Sequence, residues 1–185
     1  VSATGTFFGI QLAVQSPPGD PWRGKVCDIV RQHQRDLAVV DKRVLYGALA
    51  NLLVEAAPRW TLGFWDFIAG GQSEFDDWVR GLEDDARERW QPDASGAPMD
   101  QALVSVVVLL EPGGNAARIA GDRCDIPESD WRTRDTYVHL VETLPMLSFP
   151  TVRGDGVYVT PGGPDLAFSR RELEGEGYEY LLAME

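Results

Sequence analysis

Residues 102–111 read ALVSVVVLLE, an apolar and β-branched run broken within only by Ser105. A strand with one wet face alternates, and this run does not. It reads as a central strand buried on both faces. PGGN at 112–115 closes it as a turn, and the Gly-rich, acidic stretch 113–130 reads as loop. Downstream, Tyr137, Leu140, Val141 and Leu144 mark a helix that Pro145 ends. GVYVT at 156–160 is a short strand, PGGPD a turn, and SRRE at 169–172 a capping box opening a last helix.

Upstream, FFGIQLAVQ at 7–15 puts Phe8, Ile10, Leu12 and Val14 on one face, the mark of a half-buried strand. SPPGDPW then breaks it. A first helix is marked by Val26, Ile29, Val30, Leu37 and Val40. A second, capped by Asp41, carries Leu45, Ala48, Leu49, Leu52 and Leu53 and stops near Pro58. RWTLGFWDFI at 59–68 is aromatic and reads as a strand. Ser73 with Asp76 resembles a capping box ahead of the stripe Phe75, Trp78, Val79, Leu82 and Ala86. QPDASGAP at 91–98 is a turn-rich connector, the place where the chain is most easily subdivided. The order is βααβαβαβα. It predicts an α+β fold: one domain over 1–185, with a mixed sheet of about four strands covered by four or five helices.

The chain has 185 residues, 44% hydrophobic and 25% charged, enough to bury a core without staples. Its 17 Lys and Arg against 29 Asp and Glu leave a net charge of −12. That balance predicts a soluble domain and argues against nucleic acid and against direct docking on anionic membranes. No apolar run reaches the roughly 18 residues that cross a bilayer. Cys27 and Cys124 permit one disulfide, and two free buried thiols are the expectation.

Catalytic patterns are absent from the sequence. Cys27 and His33 are six apart, the wrong spacing for two ligands on one helix face, and no Cys-x-x-Cys or His-Glu-x-x-His occurs. His33 falls on an apolar stripe and reads as a core histidine with a satisfied hydrogen bond, and His139 as exposed. Gly-x-Ser-x-Gly and phosphate-loop spacings are missing, and Gly113 and Gly114 after Pro112 read as a hairpin turn. The acidic loop DRCDIPESD offers Asp122, Asp125, Glu128 and Asp130 as oxygen ligands for calcium, though without the spacing of an EF-hand. The aromatic strand poses the other candidate. Simple alternation sets Trp60, Leu62, Phe64 and Asp66 on one side and Thr61, Gly63, Trp65, Phe67 and Ala69 on the other. Neither side is polar, so the rings form a core wall or a binding surface at Trp60, Phe64 and Trp65.

Three segments resemble the domain-of-unknown-function family 1517 of cyanobacterial, chloroplast and other bacterial proteins. They are the opening VSATGTFFGIQLAV, the leucine-rich LANLLVEAAPRWTLGFW, and VYVTPGGPDLAFSRREL with Thr160, Pro161, Asp165, Ser169, Glu172 and Leu173. The resemblance implies a soluble domain without known catalytic residues, usually following a membrane-spanning or Gly-rich N-terminal region, and no cofactor is expected. Together these readings predict a non-enzymatic protein-interaction or scaffold domain, cytoplasmic or tethered to a membrane by a segment outside this chain. Its partner would be another protein or a second copy. Two alternatives are a small-ligand or calcium-binding module at 122–130 and an immunity or antitoxin-like protein.

Overall fold

Strand β1 (Thr6–Gln15) pairs on one side with β2 (Trp60–Ala69) and on the other with β3 (Met99–Leu110). The coordinates, a computed structural model, describe residues 5–35, 37–87 and 96–185, with the side chains of 86 and 87 excepted. Residues 1–4, most of the 91–98 connector and the Ala86 side chain thus lie outside the described residues. Strand β4 (Val152–Thr160) extends the sheet beyond β3. The two-residue β5 (Phe168–Ser169) pairs with the start of β3, and β6 (Leu182–Ala183) with β2. The order is β4-β3-β1-β2-β6.

The fold is α+β, with six strands and six α-helices among the described residues. The expected mixed sheet is corrected, because every pairing is antiparallel. The reason is the number of helices between strands. Helices α1 (Pro21–His33) and α2 (Val39–Glu55) run out and back, returning the chain to the end of the sheet it left, so β2 opposes β1. Helices α4 (Asn115–Cys124) and α5 (Arg134–Thr143) do the same between β3 and β4. A single helix, α3 (Gln72–Arg87), joins β2 to β3, which run the same way but flank β1 instead of touching.

Helices α1, α2, α4 and α5 bury Phe8, Ile10, Leu12 and Val14 together with Val104, Val106 and Val108 in the main core. The expected half-burial of β1 is also corrected. Its opposite face is covered by α3, over Phe7 and Val107, and by the chain around Leu173 and Leu181, over Ala13 and Leu103. Strand β3 is buried on both faces from Gln101 onward, as its non-alternating apolar run predicts.

Several boundaries move for identifiable reasons. Helix α1 starts early because Asp20 caps it, accepting from Trp22 N at 2.9 Å, with Pro21 in the first turn. It ends at His33, so Leu37 and Val40 lie outside it, and Asp41 sits inside the first turn of α2. Tyr46 and Ala50 take the buried places expected of Ala48 and Leu52. Ser73 lies within α3 and hydrogen-bonds Glu74 instead of capping. The stretch expected as loop contains α4, whose buried face is Ala116, Ala117 and Ala120. Alanine is the best helix former, but its small side chains make a stripe that hydropathy reads as weak. The capping box at Ser169 and Glu172 is present and opens the short α6 (Arg170–Leu173). Both cysteines are free, Cys27 buried and Cys124 half-buried.

Arg23 on α1 is fully buried, at 0% exposure. Its Nη2 donates to Ser16 O at 2.5 Å, while Nε and Nη1 have no partner among the described residues. Burial lowers its pKa. A buried charge with unspent donors is a poor use of volume. Arg23→Met is expected to leave stability unchanged or raise it by about 1 kcal/mol in urea unfolding, and a loss above about 2 kcal/mol would show that those donors are satisfied in solution.

Candidate functional site

The bulge that joins β1 to β2 decides where the aromatic side chains point. Between Ala13 and Val14 the register shifts, so Val14 pairs with Trp60 while Ala13 pairs with Leu62. One extra residue flips the alternation at that point. Trp60 therefore joins the helix-covered core with Trp65 and Phe67, whereas Leu62 and Phe64 pack on the opposite face. The expected pairing of Trp60 with Phe64 on one side is corrected accordingly. Trp60 is 2% exposed and belongs to the core wall, while Phe64 and Trp65 are half-buried and line an opening.

That opening is a cleft of about 670 Å³ beside the outer edge of β2. Strand β6 pairs only with Leu62 and Gly63, so among the described residues no strand lies against 64–69 on that side. Trp65 and Trp131 line it side by side, packed edge to face with ring centres 6.0 Å apart at 83°. Both indoles are pinned: Trp65 Nε1 donates to Trp131 O at 3.2 Å, and Trp131 Nε1 to Ile126 O at 2.8 Å. With their N–H groups spent, the rings offer apolar faces, and Trp131 is 46% exposed. The far end is held by Glu185, whose N–H donates to Arg132 O at 3.0 Å and whose carbonyl accepts from Arg134 N at 3.2 Å.

Charge in the cleft is lopsided. Among the described residues Asp66, Glu128 and Glu185 line it against a single cation, Arg132. Burial raises the Asp66 pKa against the hydrogen bond its Oδ1 accepts from Phe67 N at 2.8 Å, and Glu74 adds to the rise. A carboxylate held in that way gains from a cation brought near it. Cys124 also lines the cleft, but burial pushes its thiol up to about 12, which leaves it protonated and unreactive at neutral pH.

The four acids expected to bind calcium diverge. Asp122 faces Arg118 on α4 at 3.4 Å, and Asp125 follows that helix at its C-terminus. Glu128 and Asp130 sit on a one-turn 3-10 helix, Glu128 at the cleft and Asp130 in a separate depression with His139. Among the described residues no three His, Cys, Asp or Glu side chains are placed to hold a metal ion.

A polar cluster that the sequence does not announce lies at the other edge of the sheet. Asp155 on β4 faces the helices in line with Val157 and Val159. Its Oδ2 lies 2.7 Å from His33 Nε2 and accepts from the Tyr46 hydroxyl at 3.0 Å, while its Oδ1 accepts from Lys42 Nζ at 2.5 Å. Burial alone would raise the Asp155 pKa, but the His33 and Lys42 contacts outweigh it and hold it at about 2. Burial and the adjacent carboxylate push Tyr46 well above an ordinary phenol. The expected hydrogen bonding of His33 is present, but the residue is half-buried beside a depression at the sheet edge and not in the core. Among the described residues it hydrogen-bonds Asp155 and Tyr46, and no serine or cysteine is aligned with it. The cluster ties α1 and α2 to β4. Its one sequence signal was Asp155, a carboxylate between Gly154 and Gly156 where alternation wants an apolar residue.

No protein-family model matches the chain, and no curated protein or solved structure is significantly similar to it. Among the described residues no helix is long and apolar enough to cross a membrane.

Proposed function

We propose that the chain is a non-enzymatic interaction domain whose cleft accepts an extended, basic segment of another protein. The observation that carries this reading is the 64–69 edge of β2, unpaired by any strand among the described residues, lying beside two pinned tryptophans. An extended peptide can add to such an edge through its backbone while a side chain enters the aromatic pocket. The three carboxylates against Arg132 select for positive charge in the visitor. A second copy is disfavoured as the occupant, since each carries a net charge of −12. The immunity-like alternative is the same chemistry with a basic toxin surface as partner. The likeness to family 1517, which implies no catalytic residues, supports the same reading.

The test is nitrogen-15 NMR with a capped heptapeptide alternating Lys and Val, beside its Glu-Val counterpart. The Lys peptide is expected to shift the amides of Trp65, Phe67 and Ala69 and the Trp131 indole signal, and the Glu peptide to leave them alone. Equal shifts from both peptides, or shifts confined to the β4 edge, would overturn the proposal. Raising salt from 50 to 500 mM is expected to weaken binding, since the screening length of rim charges falls from about 14 Å to about 4 Å over that range.

A further inference from the structure

Phe64 also borders a second concavity, on the sheet face away from α1 and α2. Phe64, Trp78 and Tyr180 surround about 500 Å³, with the Phe64 ring 5.7 Å from Trp78 at 30° and 5.3 Å from Tyr180 at 75°. Gln11, 3% exposed, lines it from β1. The Gln11 amide nitrogen donates to Ser105 Oγ at 2.9 Å, and the amide lies near the Tyr180 hydroxyl, where it opposes the rise in pKa that burial causes. Gln11 Oε1 is left buried without a partner among the described residues. An unpaired buried acceptor costs about 1–3 kcal/mol, so a donor arriving from a ligand would recover a real penalty.

The rim reinforces the sign of the missing group. Asp85 on α3 lines the pocket and, after burial, its charge raises the nearby Tyr178 pKa, and among the described residues no Lys or Arg lines the pocket. Aromatic faces attract cations, and a carboxylate nearby adds to the attraction. At Gly81 and Gly177, both on the rim, an added Cβ would meet no atom within 4 Å, so the space is open.

We propose that this pocket is an aromatic cage for an alkylammonium group that still carries an N–H, as in a lysine or partly methylated lysine side chain. The rings and Asp85 take the positive charge, and Gln11 Oε1 takes the N–H. A quaternary ammonium satisfies the rings but leaves the oxygen unpaired, and a neutral chain satisfies neither. The site is distinct from the β2 cleft, with Phe64 as the residue they share.

The experiment titrates the protein with N-acetyl-lysine methylamide in its unmethylated, dimethyl and trimethyl forms, and with the norleucine analogue, following the Trp78 and Trp131 indole signals separately. The dimethyl form is expected to shift Trp78 and to bind about tenfold more tightly than norleucine, with the trimethyl form weaker than the dimethyl. Gly81→Leu fills the pocket from an open helix position and replaces a poor helix former, so its melting temperature should hold or rise while binding disappears. Tyr180→Leu removes one exposed ring and is expected to weaken binding several-fold. Equal binding of norleucine, trimethyl binding as tight as dimethyl, or binding that survives Gly81→Leu would each overturn the proposal. Shifts at Trp131 without Trp78 would place the cation in the β2 cleft and overturn the cage alone.

Discussion

Asp155→Ala is expected to cost the protein about 3–5 kcal/mol, the range for removing one partner of a buried charge cluster. Three donors converge on this carboxylate from two helices, and its side chain is 4% exposed. Without it the Tyr46 hydroxyl, on a fully buried ring, loses its acceptor, and Lys42 and His33 lose the charge that draws α1 and α2 to β4. Chemical unfolding followed by circular dichroism measures the loss. A cost below about 1 kcal/mol, the size of an exposed pair, would mean that water solvates the cluster.

The same cluster predicts an acid limb. The Asp155 pKa is about 2 when folded and 3.8 when unconstrained, so the unfolded chain takes up the proton first as pH falls. The stabilisation is complete above about pH 4 and is lost as pH drops toward 2. Its size is about 2 kcal/mol, from nearly two units at 1.36 kcal/mol each. Comparing the wild-type protein with Asp155→Asn at pH 7 and pH 3 isolates it: the gap between them should narrow at pH 3. A gap that widens would refute the assignment.

Trp60→Ala and Trp131→Ala are expected to separate stability from binding. Trp60 fills the main core at 2% exposure, and its truncation should cost about 3–5 kcal/mol through lost burial and the cavity left behind. Trp131, 46% exposed, should cost little stability. Its loss should instead weaken the Lys-Val peptide about tenfold or more, the effect of an aromatic anchor in an interface. Thermal melts and peptide titration on both variants decide the matter. Unchanged peptide affinity in folded Trp131→Ala would remove the cleft from the proposed function.

Much of the architecture was legible. The apolar run at 102–111 marked β3 as the strand buried on both sides, whereas the antiparallel arrangement was missed because one of the two helices between β3 and β4 was read as loop. The capping box at Ser169 was readable because it depends on neighbours three residues apart. Helix α4 was not, since an alanine face owes its burial to what packs on it and not to its own hydropathy.

The candidate site was legible in part. Trp65 and Phe64 could be named because aromatic density is a local property. Their separation from Trp60 could not, because a one-residue bulge formed against Val14 reversed the faces. Trp131 gave no sign of its role, since the wall it forms belongs to a loop brought to β2 by α4 and α5.

By itself, then, the sequence determined the strands and helices whose periodicity is written in adjacent residues, the acidic surface, and the absence of familiar catalytic spacings. Tertiary structure alone decided which rings are core and which line a cleft, that Asp155 gathers His33, Lys42 and Tyr46 across more than a hundred residues, and that Gln11 Oε1 lacks a partner among the described residues. The physical reason is range: propensity and capping act over a few neighbours along the chain. Burial, charge pairing and the satisfaction of a polar atom depend on groups that only the folded chain brings within about 4 Å.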